Sequence, residues 1–205
     1  MLHRGFLFLS FLLFSYTVHQ DKFTTIDFNT TVKLQDKIPR KVDHPFSYLS
    51  EIGSFVPTVV VLLGISGYLV WKKKYIAGLA IFFFFGVFHL LEIFGKAFVD
   101  HLPPPQFMIR TQQEFGLSQY SIRQQNSYPS GHAGRAAFLT TVIFFMVLYS
   151  KKLTIVQKVI IITFLIIYDI VMFGSRIYLG EHWTTDVIGG SLLGFAFAFL
   201  AAISL

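Results

Sequence analysis

Six long apolar segments, separated by polar stretches, limit this chain to folds that a lipid bilayer can hold. Hydrophobic residues make up 54% of its 205 residues and charged residues only 14%, whereas a soluble domain is about 25% charged. We therefore predict an all-α fold, a polytopic membrane helical bundle of one domain with six transmembrane helices. The predicted spans lie at about residues 5–18, 53–71, 75–94, 133–149, 153–173 and 187–205.

The first apolar segment, residues 5–18, is short enough to be a signal peptide, but no small-x-small cleavage pattern follows it. We interpret it as an uncleaved first span. Residues 19–50, which come next, have mixed charge and no sustained hydrophobic pattern. They are expected to form an external loop or a surface helix.

Two lysine clusters, at residues 72–74 and 151–152, lie in very short connections between predicted spans. Basic residues in such connections favour the cytoplasmic side of a membrane. Six alternating spans then place the loops 96–132 and 174–186 together on the opposite side. The five basic residues of segment 19–50 count against this orientation, but the lysine clusters are the stronger signal because their connections are so short.

Composition also excludes several classes of function. The chain has no cysteine, so it has no disulfide framework, no thiol nucleophile and no zinc–thiolate site. Its net charge of +6 is explained by membrane topology and an anionic substrate, because the basic residues lie between apolar blocks. We expect no nucleic acid partner, no cofactor and no bound metal, and the sequence indicates no obligate protein partner.

Residues 175–186 place Arg176, His182 and Asp186 in one short stretch between the last two apolar segments. A fixed cation, a nucleophile or base, and an anion that orients it are the parts needed to handle a phosphoryl group. If a helix has begun here, residues four apart share one face. Asp186 would then accept a hydrogen bond from one ring nitrogen of His182 and leave the other nitrogen free to attack.

A second polar motif, Pro129-Ser130-Gly131-His132, directly precedes the fourth apolar segment. A serine in capping position followed by glycine at a helix start leaves backbone N–H groups available to an anion. His132 beside them could donate a proton to a leaving oxygen. Taken alone, such a tetrapeptide is more often only a helix cap.

Together the two motifs resemble the second and third signatures of the type 2 phosphatidic acid phosphatase, or lipid phosphate phosphatase, superfamily, whose site is also found in vanadium haloperoxidases. Their order, internal spacing and position at the ends of spans all match. The resemblance covers the chain from about Glu51 to its last residue. It implies an acid phosphatase/vanadium haloperoxidase-like core within the membrane bundle.

The first signature of this family, lysine followed after six residues by arginine and proline, is matched only in part. Lys96 and the proline are present, but Pro103 stands where the family has arginine. In the family that arginine helps to hold the phosphate oxygens, and proline has no donor groups to replace it. Arg110 and Arg123, in the same loop, are equally good substitutes, with His101 also close in sequence. The remaining alternative is that nothing replaces the arginine.

The resemblance implies a role for each matched residue. His182 would attack phosphorus to form a phosphohistidine, Asp186 would hold its tautomer, and His132 would protonate the departing oxygen. The equatorial phosphate oxygens would be bound by side-chain cations and by N–H groups at the helix start. These binding groups are Lys96, Arg176, Ser130 and Gly131.

The leading hypothesis is a metal-independent integral-membrane phosphatase that acts on a phosphorylated lipid and faces the outside of a bacterial cytoplasmic membrane. Polyprenyl pyrophosphate, phosphatidic acid and phosphatidylglycerophosphate are all compatible substrates. The missing arginine keeps a second hypothesis open, in which a catalytically weakened member binds phospholipid or acts as a scaffold. A transporter is disfavoured because the ionisable residues lie at the ends of the spans rather than at their centres.

Overall fold

The computed structural model describes residues 2–112 and 125–205, with side chains from residue 6 onward. These residues form eight α-helices joined by turns and short 3₁₀ segments, and the described ranges contain no strand. The helices are α1 (Leu2–His19), α2 (Thr24–Lys37), α3 (Asp43–Ile52), α4 (Phe55–Trp71), α5 (Tyr75–Phe98), α6 (Gly131–Tyr149), α7 (Ile155–Tyr178) and α8 (Thr184–Ala201). The predicted all-α fold is confirmed.

The six apolar segments all overlap helices, but not every such helix is long enough to cross a membrane. Four of them, α5 to α8, are long and apolar enough to cross a membrane. Helix α4 is long enough only if it is combined with α3, across a bend of 50°, and the apolar part of α1, Phe6–His19, is shorter. The described chain therefore offers four spans, or five if the bent pair counts as one, and the predicted total of six is not confirmed.

The centre of the bundle is the contact between α6 and α8, where two glycines allow the backbones to meet. A Cβ on Gly190 would lie 2.1 Å from the carbonyl oxygen of Ser130, and one on Gly194 would lie 2.2 Å from that of Gly134. Only glycine permits so close an approach of two helix backbones. Since the two contacts advance together along both helices, α6 and α8 run parallel and begin at the same end.

Helices α2 and α3 lie over the end of the bundle at which α6 and α8 begin. Gln35 of α2 donates from Nε2 to the carbonyl oxygens of Met108 (2.7 Å) and Tyr178 (2.9 Å). The hydroxyl of Tyr178 also donates to Asp43, the first residue of α3. Residues 19–50, predicted to form an external loop or a surface helix, thus form helices. These helices hold the ends of the spans in place.

The lysine clusters lie at the end of the bundle opposite to helices α2 and α3. Residues 72–74 join α4 to α5, and residues 151–152 join α6 to α7. Lys74 donates to the carbonyl oxygen of Leu205, so the last residue of the chain lies at the lysine end as well.

Candidate active site

The second motif begins α6 as the sequence predicts. Ser130 is the N-cap, and its Oγ accepts a hydrogen bond from the N–H of Ala133 at 3.5 Å. The N–H of Ser130 itself donates to the carbonyl oxygen of Asp186 at 2.9 Å. This backbone bond joins the second motif directly to the third, and it places His132 in the first turn of α6 beside the start of α8.

The third motif begins inside a helix, although the predicted fifth span ends at about residue 173. Helix α7 continues to Tyr178, so Arg176 lies in its last turn rather than in a loop. Gly180 then reverses the chain with a φ of 69°, in the left-handed region that favours glycine. The N–H groups of Glu181 and His182 both reach back to the carbonyl oxygen of Arg176 at 3.3 Å. Arg176 and His182 are therefore close neighbours.

The predicted His182–Asp186 pair forms, although α8 begins only at Thr184 and His182 precedes the helix. Nδ1 of His182 donates to Oδ2 of Asp186 across 3.3 Å, and the N–H of Trp183 donates to the same oxygen at 2.9 Å. Because a carboxylate can only accept, the proton of the neutral ring lies on Nδ1. The lone pair of His182 Nε2 is then available for attack.

The surroundings of His182 keep its ring neutral. Burial lowers the pKa of His182, the hydrogen bond and charge of Asp186 oppose this, and the positive charges of Arg176 and Lys96 lower it further. The net shift is downward from the ordinary value of 6.5. A neutral imidazole is the form in which His182 can act as a nucleophile at neutral pH.

Arg176 is 1% exposed, and its guanidinium is only partly satisfied. Nη1 donates to the Oγ of Ser50 from α3, and Nη2 forms an ion pair with Glu181. Its Nε is buried and has no hydrogen-bond partner among the described residues. A buried donor of this kind carries a free-energy penalty that a bound anion would remove.

A second unsatisfied nitrogen belongs to His132. Its Nε2 is buried and lacks a partner within the described part of the chain. The ring lies within electrostatic range of Arg176, Arg135, His182 and Lys96. Two unpartnered nitrogens among several cations form an arrangement that an anion with several oxygen atoms would satisfy.

Lys96 and Arg135 share one carboxylate at the edge of this cluster. Glu92 lies 3.8 Å from Nζ of Lys96 and 3.7 Å from Nη1 of Arg135, while Nδ1 of His89 lies 2.9 Å from Glu92. Arg135 also donates from Nε to the carbonyl oxygen of Gly53 at 3.3 Å. Glu92 and Lys96 stand four residues apart and therefore share one face of α5.

An open cavity of about 240 Å³ adjoins Lys96. It is lined by Ile93, Lys96, Ala97, Gln125 and Asn126. Lys96 is thus accessible from one side.

Of the residues considered as substitutes for the missing arginine, Arg110 does not join this cluster. Pro103 is exposed, and Arg110 lies over the ring of Tyr178, donating to its hydroxyl at 3.1 Å. Arg123 lies outside the described residues. A further cation near His132 is Arg135, which its sequence position does not mark as a substitute because it follows the second motif rather than the first.

Two further residues contact the predicted site without having been predicted to do so. Nδ1 of His101 lies 2.9 Å from Oδ1 of Asp186, and Nε2 of His101 lies 3.5 Å from Oδ2 of Asp27. His101 was considered only as a phosphate ligand. No signal in the sequence pointed to Asp27, which is separated from the third motif by most of the chain.

The fold and the site together define a helical membrane protein whose histidine–aspartate pair is set among cations at one end of the bundle. The family model of the PAP2 superfamily matches residues 73–205, well over half of the chain. The chain therefore belongs to the PAP2 superfamily, and the predicted resemblance is confirmed.

Relatives agree with this assignment over nearly the whole length. Phosphatidylglycerophosphatase B of Bacillus subtilis (strain 168) is 28% identical over 198 residues, which cover 95% of this chain and 90% of the relative. The crystal structure of a transmembrane PAP2-type phosphatidylglycerolphosphate phosphatase from Bacillus subtilis has the same fold, with a TM-score of 0.80 and 23% sequence identity. The match covers 98% of this chain and 94% of the other. The structure of LpxE from Aquifex aeolicus is more distant, with a TM-score of 0.56 and 21% sequence identity. That match covers 86% of this chain and 94% of LpxE. Family and fold together support a membrane lipid phosphatase.

Proposed function

We propose that this chain hydrolyses the phosphate ester of a lipid headgroup through a phosphohistidine on His182, with phosphatidylglycerophosphate as the first substrate to test. The observation that carries the proposal is the pair of buried, unpartnered nitrogens, Nε2 of His132 and Nε of Arg176. Both belong to the cluster around His182, whose own Nε2 has its lone pair free. An attacking nitrogen, a group able to donate a proton and a donor for phosphate oxygens thus occur together.

In the proposed reaction, Nε2 of His182 attacks phosphorus and the bond from phosphorus to the lipid oxygen breaks. His132 gives a proton to that oxygen, so the dephosphorylated lipid leaves with a neutral hydroxyl rather than an alkoxide. Asp186 keeps the proton of His182 on Nδ1 and stabilises the positive charge that the ring acquires. His132 then takes a proton from water, whose oxygen attacks the phosphohistidine and releases inorganic phosphate.

Phosphate oxygens would be held by the N–H groups at the start of α6 and by three cations, Lys96, Arg176 and Arg135. Positioned donors and fixed positive charges stabilise the charge that moves onto these oxygens in the transition state. Because side chains can supply this charge, we propose that the reaction needs no divalent metal.

We further propose that the site faces the outside of the cell. The lysine clusters at residues 72–74 and 151–152 lie at the end of the bundle away from the site. Basic residues in short connections favour the cytoplasm, which would put the site on the opposite side.

The activity is tested by phosphate release from purified protein in EDTA, with phosphatidylglycerophosphate, phosphatidic acid and polyprenyl pyrophosphate as substrates. We expect release that survives EDTA and is lost in His182→Ala, with His19→Ala as a control on a half-buried histidine outside the site. Substrate labelled with ³²P should leave acid-labile, base-stable label on the wild-type protein. Turnover retained in His182→Ala would exclude the mechanism. Binding of these lipids without release from any of them would favour the scaffold hypothesis.

The orientation is tested with single cysteines, which the cysteine-free chain makes simple to interpret. In intact cells, a membrane-impermeant maleimide should label Asp100→Cys at the site end. Lys151→Cys at the lysine end should react only after permeabilisation. The reverse pattern would place the site in the cytoplasm.

A further inference from the structure

His101 lies between two buried carboxylates that come from different parts of the chain. Its Nδ1 is 2.9 Å from Oδ1 of Asp186, and its Nε2 is 3.5 Å from Oδ2 of Asp27. All three side chains are buried. The four residues His182, Asp186, His101 and Asp27 therefore form a continuous row of alternating histidines and carboxylates.

This arrangement determines the protonation state of His101. Each ring nitrogen faces a carboxylate oxygen, and since an ionised carboxylate only accepts, both nitrogens must carry protons. Burial lowers the pKa of His101, but the hydrogen bonds to Asp186 and Asp27 outweigh it and raise the pKa to about 9. Among the described residues, the Tyr128 ring also lies against this imidazole; burial raises the pKa of Tyr128, so it stays neutral. His101 is thus a buried imidazolium at neutral pH.

The outer carboxylate of the row is itself firmly held. Asp27 accepts from the N–H of Thr185 at 2.9 Å and from its hydroxyl at 2.6 Å. Thr185 is the neighbour of Asp186 in the first turn of α8. Helix α2 therefore fixes the start of α8 and, at the same point, the ring that contacts Asp186.

His101 also follows closely on the helix that carries Lys96. Its N–H donates to Oδ1 of Asn126, whose Nδ2 donates to the carbonyl oxygen of Lys96, both at 3.2 Å. His101 thus joins the end of α5, which carries one proposed phosphate ligand, to the start of α8, which carries Asp186: its backbone N–H makes the first link and its ring the second.

We propose that His101, held by Asp27, is a positioning residue that acts on the nucleophile through Asp186. It donates to Oδ1 of Asp186, while Oδ2 receives the N–H of Trp183 and Nδ1 of His182. With donors on both oxygens, the carboxylate cannot rotate away from His182. The adjacent positive charge keeps Asp186 ionised, so the proton of His182 stays on Nδ1 and Nε2 stays free. This inference rests on the proposed role of His182.

The kinetic test compares wild type with His101→Gln, which retains a hydrogen-bond donor but not the charge. We expect kcat to fall by about 10- to 100-fold, by analogy with the loss of outer-shell partners that orient the ligands of metal sites, with KM changed less than twofold. Without the positive charge of His101, the negative charge of Asp186 acts on His182 unopposed and raises the pKa of His182. The acid limb of kcat/KM should therefore move to higher pH. A fall in kcat without this movement would reduce His101 to a packing role and overturn the proposal.

The matched control is His19→Gln. Nδ1 of His19 also lies near an aspartate, 3.7 Å from Asp100, but His19 is only half-buried, Asp100 is exposed, and neither residue belongs to the row. We expect wild-type kinetics. If His19→Gln shifted the acid limb as strongly as His101→Gln, the effect would not be specific to the row, and the proposal would fail.

A second measurement does not depend on activity. In ¹⁵N-histidine spectra at about pH 8, wild type should show one histidine protonated on both nitrogens, absent in His101→Gln. Asp27→Asn removes one of the two carboxylates and should lower the pH at which this signal titrates, which keeps the test available if His101→Gln does not fold. A neutral ring at pH 8 would overturn the proposal even in an active enzyme. Doubly protonated His101 in a protein that releases no phosphate would instead mean that the proposed function fails.

Discussion

Glu181 forms an ion pair with Nη2 of Arg176, the side chain proposed to bind the phosphate of the substrate. The turn at Gly180 brings this carboxylate back onto the last turn of α7, and Thr111 donates a hydrogen bond to it from the preceding loop. A carboxylate and a phosphate carry the same sign of charge and compete for the same guanidinium. Substrate binding should therefore require Glu181 to release Arg176.

We predict that Glu181→Gln lowers KM for the lipid substrate by about fivefold, equivalent to about 1 kcal/mol, because the guanidinium no longer has to leave a carboxylate before it binds phosphate. The value of kcat should stay within about twofold, because Glu181 contacts neither ring of the two proposed catalytic histidines. Inhibition by inorganic phosphate should become stronger by a similar factor. Thr111→Val, which removes only the hydrogen bond from Thr111 to Glu181, should change KM less. An unchanged or higher KM in Glu181→Gln would show that Glu181 does not compete with phosphate.

The protonation of His101 predicts a specific dependence of stability on pH. Its pKa is about 9 in the folded protein against an ordinary 6.5, so folding favours the protonated form. The resulting stabilisation is fully present below about pH 6.5 and is lost as the pH rises through about 9. Thermal unfolding in detergent should show a fall in Tm over this window that is smaller in His101→Gln. Parallel curves for the two proteins would contradict the assignment.

The parts of the site that the sequence predicts well are those carried by local spacing. Arg176, His182 and Asp186 lie within one short segment, and Ser130 is in the capping position that its neighbours favour. Asp27, by contrast, reaches Thr185 across 158 positions of the chain. Nothing in a segment of mixed charge marks one aspartate for burial, because its partner is supplied only by tertiary packing.

The ends of the helices show a similar limit. Hydropathy locates the apolar part of the fifth segment up to about residue 173, yet α7 continues to Tyr178. Ser175 and Arg176 end the apolar run but not the helix, since the hydroxyl of Ser175 donates to the carbonyl oxygen of Met172 and Arg176 finds partners on α3. Hydropathy reports contact with lipid, whereas the extent of a helix depends also on the partners of its polar residues.

The identity of the additional cation leads to a prediction about the missing arginine. Arg135→Gln should lower kcat/KM by about 10²-fold, as expected for loss of a fixed donor to transition-state charge. Arg135→Lys, which keeps the charge, should recover part of this loss. Pro103→Arg should change kcat/KM by less than about twofold, because position 103 is exposed, and Arg110→Gln serves as a control on the same loop. A clear gain of activity in Pro103→Arg would mean instead that the site lacks a cation.

The parallel contact of α6 and α8 gives a prediction about stability that is independent of the chemistry. Gly194→Ala would place a Cβ 2.2 Å from the carbonyl oxygen of Gly134, and backbone cannot move aside as a flexible side chain can. Overpacking of this kind costs about 1–3 kcal/mol, so Tm in detergent should fall. Activity should fall with it, because separating the helices would weaken the bond from Ser130 to the carbonyl oxygen of Asp186.

Gly64→Ala is the matched control for this change. Gly64 also lies within a helix, but a Cβ there would meet no other atom within 4 Å. Alanine in a helix interior is favoured over glycine by about 0.5–1 kcal/mol, so this variant should be at least as stable as wild type. Equal stability of Gly194→Ala and Gly64→Ala would mean that α6 and α8 do not approach each other as closely as described, and the joining of the second and third motifs through Ser130 would then need another explanation.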